Sequence, residues 1–108
     1  MATDTGLATP SDTFIGIHNT LTSTTADSVT VEAASPNGAC RAEILNRSTT
    51  NTIYVTINTG VTAVAAADGT IAILPGQSVM TPPGAHHVLS IVGSGDAYSV
   101  HRIPDGTI

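Results

Sequence analysis

The 108-residue chain has no lysine and no tryptophan, and its only formal cations are Arg41, Arg47 and Arg102. Binding to nucleic acid draws on clustered cations that release counterions from phosphates. Three scattered arginines on a chain of net charge −5 therefore argue against a nucleic-acid partner. They argue equally against an anionic membrane surface. The single cysteine, Cys40, excludes an intrachain disulfide and a multi-cysteine metal site. The longest aliphatic run, near residues 63–67, stops at Asp68-Gly69, far short of the roughly 18 residues of a membrane span. The opening Met-Ala-Thr-Asp-Thr-Gly lacks the positive start and apolar stretch of a signal peptide. Export by that route is not expected, and the Asn46-Arg47-Ser48 sequon carries little weight.

Charge is scarce as well. Charged residues make up 10% of the chain, where a soluble domain ordinarily has about 25%. The surface must instead be built from Thr, Ser, Ala and Asn. That suits extended structure and a protein packed beside copies or partners.

Nineteen residues are Val or Ile and eighteen are Thr, a β-branched excess that favours strands. No segment has convincing helical periodicity. The expected fold is all-β: a single small antiparallel β-sandwich or flattened barrel of about eight strands over residues 28–108. An extended N-terminal arm, residues 1–27, precedes it. Residues 20–27 are almost all small and polar and cannot offset their own ordering entropy. Phe14, Ile15 and Ile17 form the one apolar knot of the arm. They read as an anchor on a neighbouring subunit, or as a short edge strand on their own domain, or as part of a disordered segment.

Within residues 28–103 the turns recur at the spacing of an all-β domain. Asn37-Gly38 suits a type I′ hairpin. It would set Ala33 against Ala42 and Val31 against Ile44 on the core face, with Glu32 opposite Glu43 and Arg41 beside them on the other. Residues 52–58 alternate with period two, Ile53, Val55 and Ile57 pointing inward. Residues 61–67 are expected to be a strand. Pro75-Gly76 fits a type II turn. Strands are expected at residues 70–74, 77–81, 85–92 and 97–103, with 93–96 a loop and 104–108 a tail.

No catalytic set emerges, and the chain is not expected to be an enzyme. Adjacent strand residues face opposite ways, so His86 and His87 cannot readily share a metal. Glu32 and Glu43 could pair as in a glycosidase, but Arg41 makes a salt network the simpler reading. Cys40 reads as a small buried hydrophobe. Gly93-Ser94-Gly95 lacks the helix that a nucleophile elbow or phosphate loop requires. No cofactor motif is present. Tyr54 and Tyr98 are possible surface contacts for a sugar ring or a subunit; for Tyr98 the opposite assignment, ring in the core, fits equally well.

The stretch from Cys40 to Ile103 resembles a type of small protein found in the virions of tailed bacteriophages. The likeness is carried by residues 42–55, Ala-Glu-Ile-Leu-Asn-Arg-Ser-Thr-Thr-Asn-Thr-Ile-Tyr-Val. Further on it is carried by Leu74-Pro75-Gly76-Gln77-Ser78-Val79, Pro83-Gly84-Ala85 and Gly93-Ser94-Gly95. The resemblance implies a virion structural protein, such as a capsid decoration (cement) protein or a head or tail accessory, made in the bacterial cytoplasm. It implies a major capsid protein or other virion protein as partner and a homo-oligomer, a trimer by preference. It supplies no catalytic residues. The alternative is a ligand- or receptor-binding β-module, for instance for glycans.

Overall fold

The computed structural model describes residues 3–4, 15–22, 25–33 and 38–107. They form nine strands and no helix: β1 (Thr3–Asp4), β2 (Ile15–Thr20), β3 (Asp27–Glu32), β4 (Gly38–Asn46), β5 (Ile53–Ile57), β6 (Ile71–Ile73), β7 (Ser78–Met80), β8 (His86–Val92) and β9 (Ala97–Thr107). One sheet has the order β1-β3-β8-β5-β6 and the other β2-β9-β4-β7. Only the short β1 joins in parallel, on β3.

The eight remaining strands pair in a nested way: β2 with β9, β3 with β8, β4 with β7, and β5 with β6. The doubled ribbon then wraps, so that β9 also meets β4 and β8 also meets β5. This is the strand order of a jelly roll. Among the described residues, β5 and β6 are the only paired strands that follow one another in sequence.

Period-two alternation builds the core between the sheets. The five-stranded sheet contributes Val29, Val31, Ile53, Val55, Ile73, Leu89 and Ile91; the other contributes Cys40, Ala42, Ile44, Tyr98 and Val100. The expected all-β sandwich is therefore present. The inward residues expected for β3, β4 and β5 face inward, and Pro75-Gly76 turns the chain with Gly76 at φ 75° and Gln77 N–H bonded to Leu74 C=O at 3.0 Å.

Several local expectations are corrected. The β3–β4 hairpin does not form, because these strands lie in opposite sheets and meet across the core, not edge to edge. Val31 pairs with His87 and Ala42 with Arg102. Glu32 therefore lies opposite His86, and Glu43 opposite Met80 and His101. Asn37 lies outside the described residues. The boundary after residue 27 moves as well: β2 is the full edge strand of the four-stranded sheet, bonded along β9 from Ile15↔Arg102 to Thr20↔Ala97. Ile17 is half-buried and packs on the core of its own domain, as the edge-strand reading expects. Phe14 lies outside the described residues, and only the backbone of Ile15 is described. The last strand continues through Pro104 to Thr107. Residues 61–67 are a loop, not a strand; three successive alanines there offer little to a pleated surface.

Candidate functional site

The long β5–β6 connection, residues 58–70, folds back over the outer face of the five-stranded sheet. Thr56 Oγ1 donates to Val61 C=O at 2.8 Å, and Ala63 N–H donates to Ser90 Oγ at 2.8 Å. Ala63 is thereby buried with Ala26 and Val92, and Tyr54 packs beside them. Tyr54 is half-buried on this outer face, opposite in parity to the inward Ile53 and Val55.

Three open hollows follow the loop. One, about 340 Å³, is lined by Ser28, Thr56, Val61, Thr62, Val88 and Ser90 among others. The second, about 270 Å³, includes Thr52, Tyr54, Val64 and Ser94. The third, about 370 Å³, lies at Asn58, Gly60, His86 and Val88. The first two are lined mainly by hydroxyl and aliphatic groups, the third by the Asn58 amide, the His86 imidazole and Val88. The Thr56 and Ser90 hydroxyls are already engaged in holding the loop. Asp27 borders the first hollow, but its carboxylate accepts the Tyr98 hydroxyl at 2.8 Å, and both side chains are buried. Tyr98 is thus a core residue and not a surface contact. Its inward parity follows from Val100 two residues on, which faces the same core.

The valines are the distinctive feature. Val61 and Val64 are 63% and 62% exposed, and Val88 is exposed beside them. The expectation of a strand at 61–67 hid their role. The signal that could have found it is the absence of charge: residues 48–95 contain one formally charged residue, Asp68.

His86 lines the third hollow and Asp68 lies in the loop itself, whereas a second set of titratable groups lies apart from this face. On the four-stranded sheet, His18 Nδ1 and Ser99 Oγ are 2.6 Å apart, His18 and His101 stack edge-on at 5.6 Å, and His101 Nδ1 is 3.4 Å from Glu43 Oε1. Ser99 is fully buried, so its hydroxyl is shielded from any substrate. His86 and His87 do face opposite ways: His86 is exposed, whereas His87 is buried, with Nε2 2.8 Å from Cys40 C=O and Nδ1 3.3 Å from Asn58 Nδ2. Among the described residues, no three His, Cys, Asp or Glu side chains gather to hold a metal. The Asn46 side chain is wholly buried, so the sequon cannot accept a glycan in the folded state.

Cys40 is buried, and its thiol is pushed above its ordinary range by desolvation, which the nearby Arg102 charge partly opposes. A protonated, enclosed thiol is a poor nucleophile. In a disulfide-exchange assay at pH 8 the native protein should react ~100-fold or more slowly than the urea-unfolded chain. Equal rates would place Cys40 at the surface.

Comparison with protein families, curated proteins and solved structures finds no match to this chain.

Proposed function

We propose that the protein is a non-catalytic structural module of a bacteriophage virion: a capsid decoration protein that binds the assembled head and reinforces it. The observation that carries this reading is the exposure of valines in a charge-poor stretch, residues 48–95, of a jelly roll. Jelly rolls serve viral capsids, lectins and cupins alike, so the fold by itself does not choose among these roles. The surface favours the first. It offers aliphatic contact area, and two of its hydroxyls, Thr56 and Ser90, are used to hold its own loop. Each contact would bury apolar area worth about 25 cal/mol per Å² before association costs. Repetition over many copies makes weak contacts sufficient. The partners are the major capsid protein and further copies of the chain.

The direct test is co-sedimentation of the purified protein with undecorated heads of the phage that encodes it. Saturable pelleting, together with a higher melting temperature of the heads, is the expected result. No pelleting overturns the reading. A glycan-array signal lost on Tyr54→Ala would replace it with a glycan-binding module.

A further inference from the structure

We infer that His87 is a pH-sensitive latch on the root of the 58–70 loop: as a neutral ring it holds Asn58 in place, and on taking up a proton it lets Asn58 go. The inference goes beyond the proposed function and does not depend on what the exposed valines bind.

The latch follows from hydrogen-bond roles that the backbone fixes at both ends. Cys40 C=O can only accept. It receives Gly84 N–H at 3.0 Å and His87 Nε2–H at 2.8 Å, which uses both of its lone pairs. At the other end Val88 N–H can only donate, and it donates to Asn58 Oδ1 at 2.7 Å. The Asn58 amide is therefore turned with Nδ2 toward the ring, 3.3 Å from Nδ1. Nδ1 is then the lone-pair nitrogen of a neutral imidazole, and it accepts this donor. One tautomer and one amide orientation satisfy the whole chain of roles from β4 to β8.

A second proton on the ring has no place in that chain. An Nδ1–H would meet the Asn58 Nδ2–H. Turning the amide over would relieve that contact and set Nδ2 against Val88 N–H instead. The ring is also shut away from water: His87 is 2% exposed, and Gly84 stands so close that a Cβ there would be 3.1 Å from Cε1. The charged and titratable groups at this end of the core supply no counter-ion. Arg102 of β9, buried and donating from Nη1 to Glu32 C=O at 3.3 Å, is already a cation. The Cys40 thiol on β4 is neutral. Glu32 of β3 and His86 of β8 stand opposite one another on the exposed outer side. Neither Asn58 nor segment 81–85 carries a charge.

What the latch holds is the base of the candidate site. Asn58 is the first residue of the loop that carries Val61 and Val64, and it sits at a left-handed φ of 56°. Its N–H bonds Val88 C=O at 2.8 Å while its side chain takes Val88 N–H, so one residue closes the end of the β5–β8 ladder. The latch is whole above the range in which imidazoles protonate. It is lost as pH falls through that range, because the open state binds one proton more than the latched state.

The test is amide hydrogen exchange of the full chain, followed by NMR at pH 7.5 and 5.5 and read as protection factors, which remove the intrinsic pH dependence of exchange. Protection at Asn58 and Val88 should fall ~10-fold between the two, one proton being taken up per opening. The ring nitrogens of His87 should show the Nε2–H tautomer at pH 7.5. In Asn58→Asp the carboxylate can accept from Val88 N–H and from an imidazolium Nδ1–H alike, so the fall should vanish or reverse. Flat protection in the wild type overturns the inference, and so does an Nδ1–H tautomer. A fall undiminished in Asn58→Asp also overturns it and assigns the pH dependence to His18, His86 or His101.

Discussion

Asn46→Ala should destabilise the fold by about 3 kcal/mol or more, a large fraction of the stability of an ordinary domain. Asn46 ends β4, and its side chain is fully enclosed. Nδ2 donates to Asn51 C=O at 2.8 Å and to Ile73 C=O at 2.9 Å, while Oδ1 accepts from Ser48 N–H at 2.9 Å. Ile73 belongs to the opposite sheet, so this one amide ties the two sheets together at their rim. The backbone joins in: Asn46 N–H bonds Gln77 C=O at 2.9 Å, and Gly76 N–H bonds Asn46 C=O at 3.0 Å. Truncation leaves two carbonyls and an amide without the partner they had, each costing about 1–3 kcal/mol where water cannot replace it. In thermal melts the midpoint should fall by on the order of 15 °C. Asn46→Asp separates hydrogen bonding from volume. It has nearly the same size and keeps the acceptor for Ser48, but it sets a carboxylate oxygen against two carbonyls. It should be at least as damaging as alanine at pH 7. A loss below about 1 kcal/mol in the alanine variant would mean that the side chain does not bridge the sheets in solution.

The part of the fold that was legible in the sequence is the part written locally. Val29 and Val31, Ala42 and Ile44, and Ile53 and Val55 declare their inward face by alternation, and each does face inward. The partner across the ladder is not written locally. In a nested topology Ile17 pairs with Val100 and Val31 with His87, and nothing in the intervening residues records that. Asn37-Gly38 looked like a hairpin because β3 and β4 really do share a core, but they approach it from opposite sheets. The His18–His101 stack is hidden for the same reason. Tyr98 was open to two parities until Asp27, in a polar stretch of uncertain role, proved to receive its hydroxyl. The candidate surface was half legible. The scarcity of charge in residues 48–95 is plain in the sequence, but the projection of Val61 and Val64 depends on hydroxyls that hold the loop from two different strands, β5 and β8.

Gly93→Ala is the second large effect expected, and its cause is space, not backbone conformation. Gly93 is buried at the start of the β8–β9 connection. A Cβ placed there would sit 2.7 Å from Asp96 Oδ2, 3.0 Å from Leu21 Cδ1 and 3.1 Å from Ile53 Cγ2. The carboxylate cannot retreat freely. Oδ2 accepts from Ser94 N–H at 2.8 Å, Oδ1 accepts from Asn51 Nδ2 at 3.0 Å, and Asp96 C=O receives Leu21 N–H at 2.8 Å. A single methyl therefore presses on the hydrogen-bonded carboxylate that fastens this loop to residue 51, in a residue whose backbone also holds the end of β2. Overpacking together with the loss of one such bond should cost about 2–4 kcal/mol, read as a lower urea midpoint at unchanged slope. In an Asp96→Ala background the same methyl should cost clearly less, because the nearest obstacle is gone and the two effects couple. Gly95→Ala is the contrasting case. Its φ is +74° and its nearest neighbour is Leu21 C=O at 3.9 Å, so it should lose only the ~1–2 kcal/mol of a left-handed conformation. Equal costs at the two glycines, or additivity with Asp96→Ala, would show that the loop relaxes around the added methyl and that Asp96 does not fasten it.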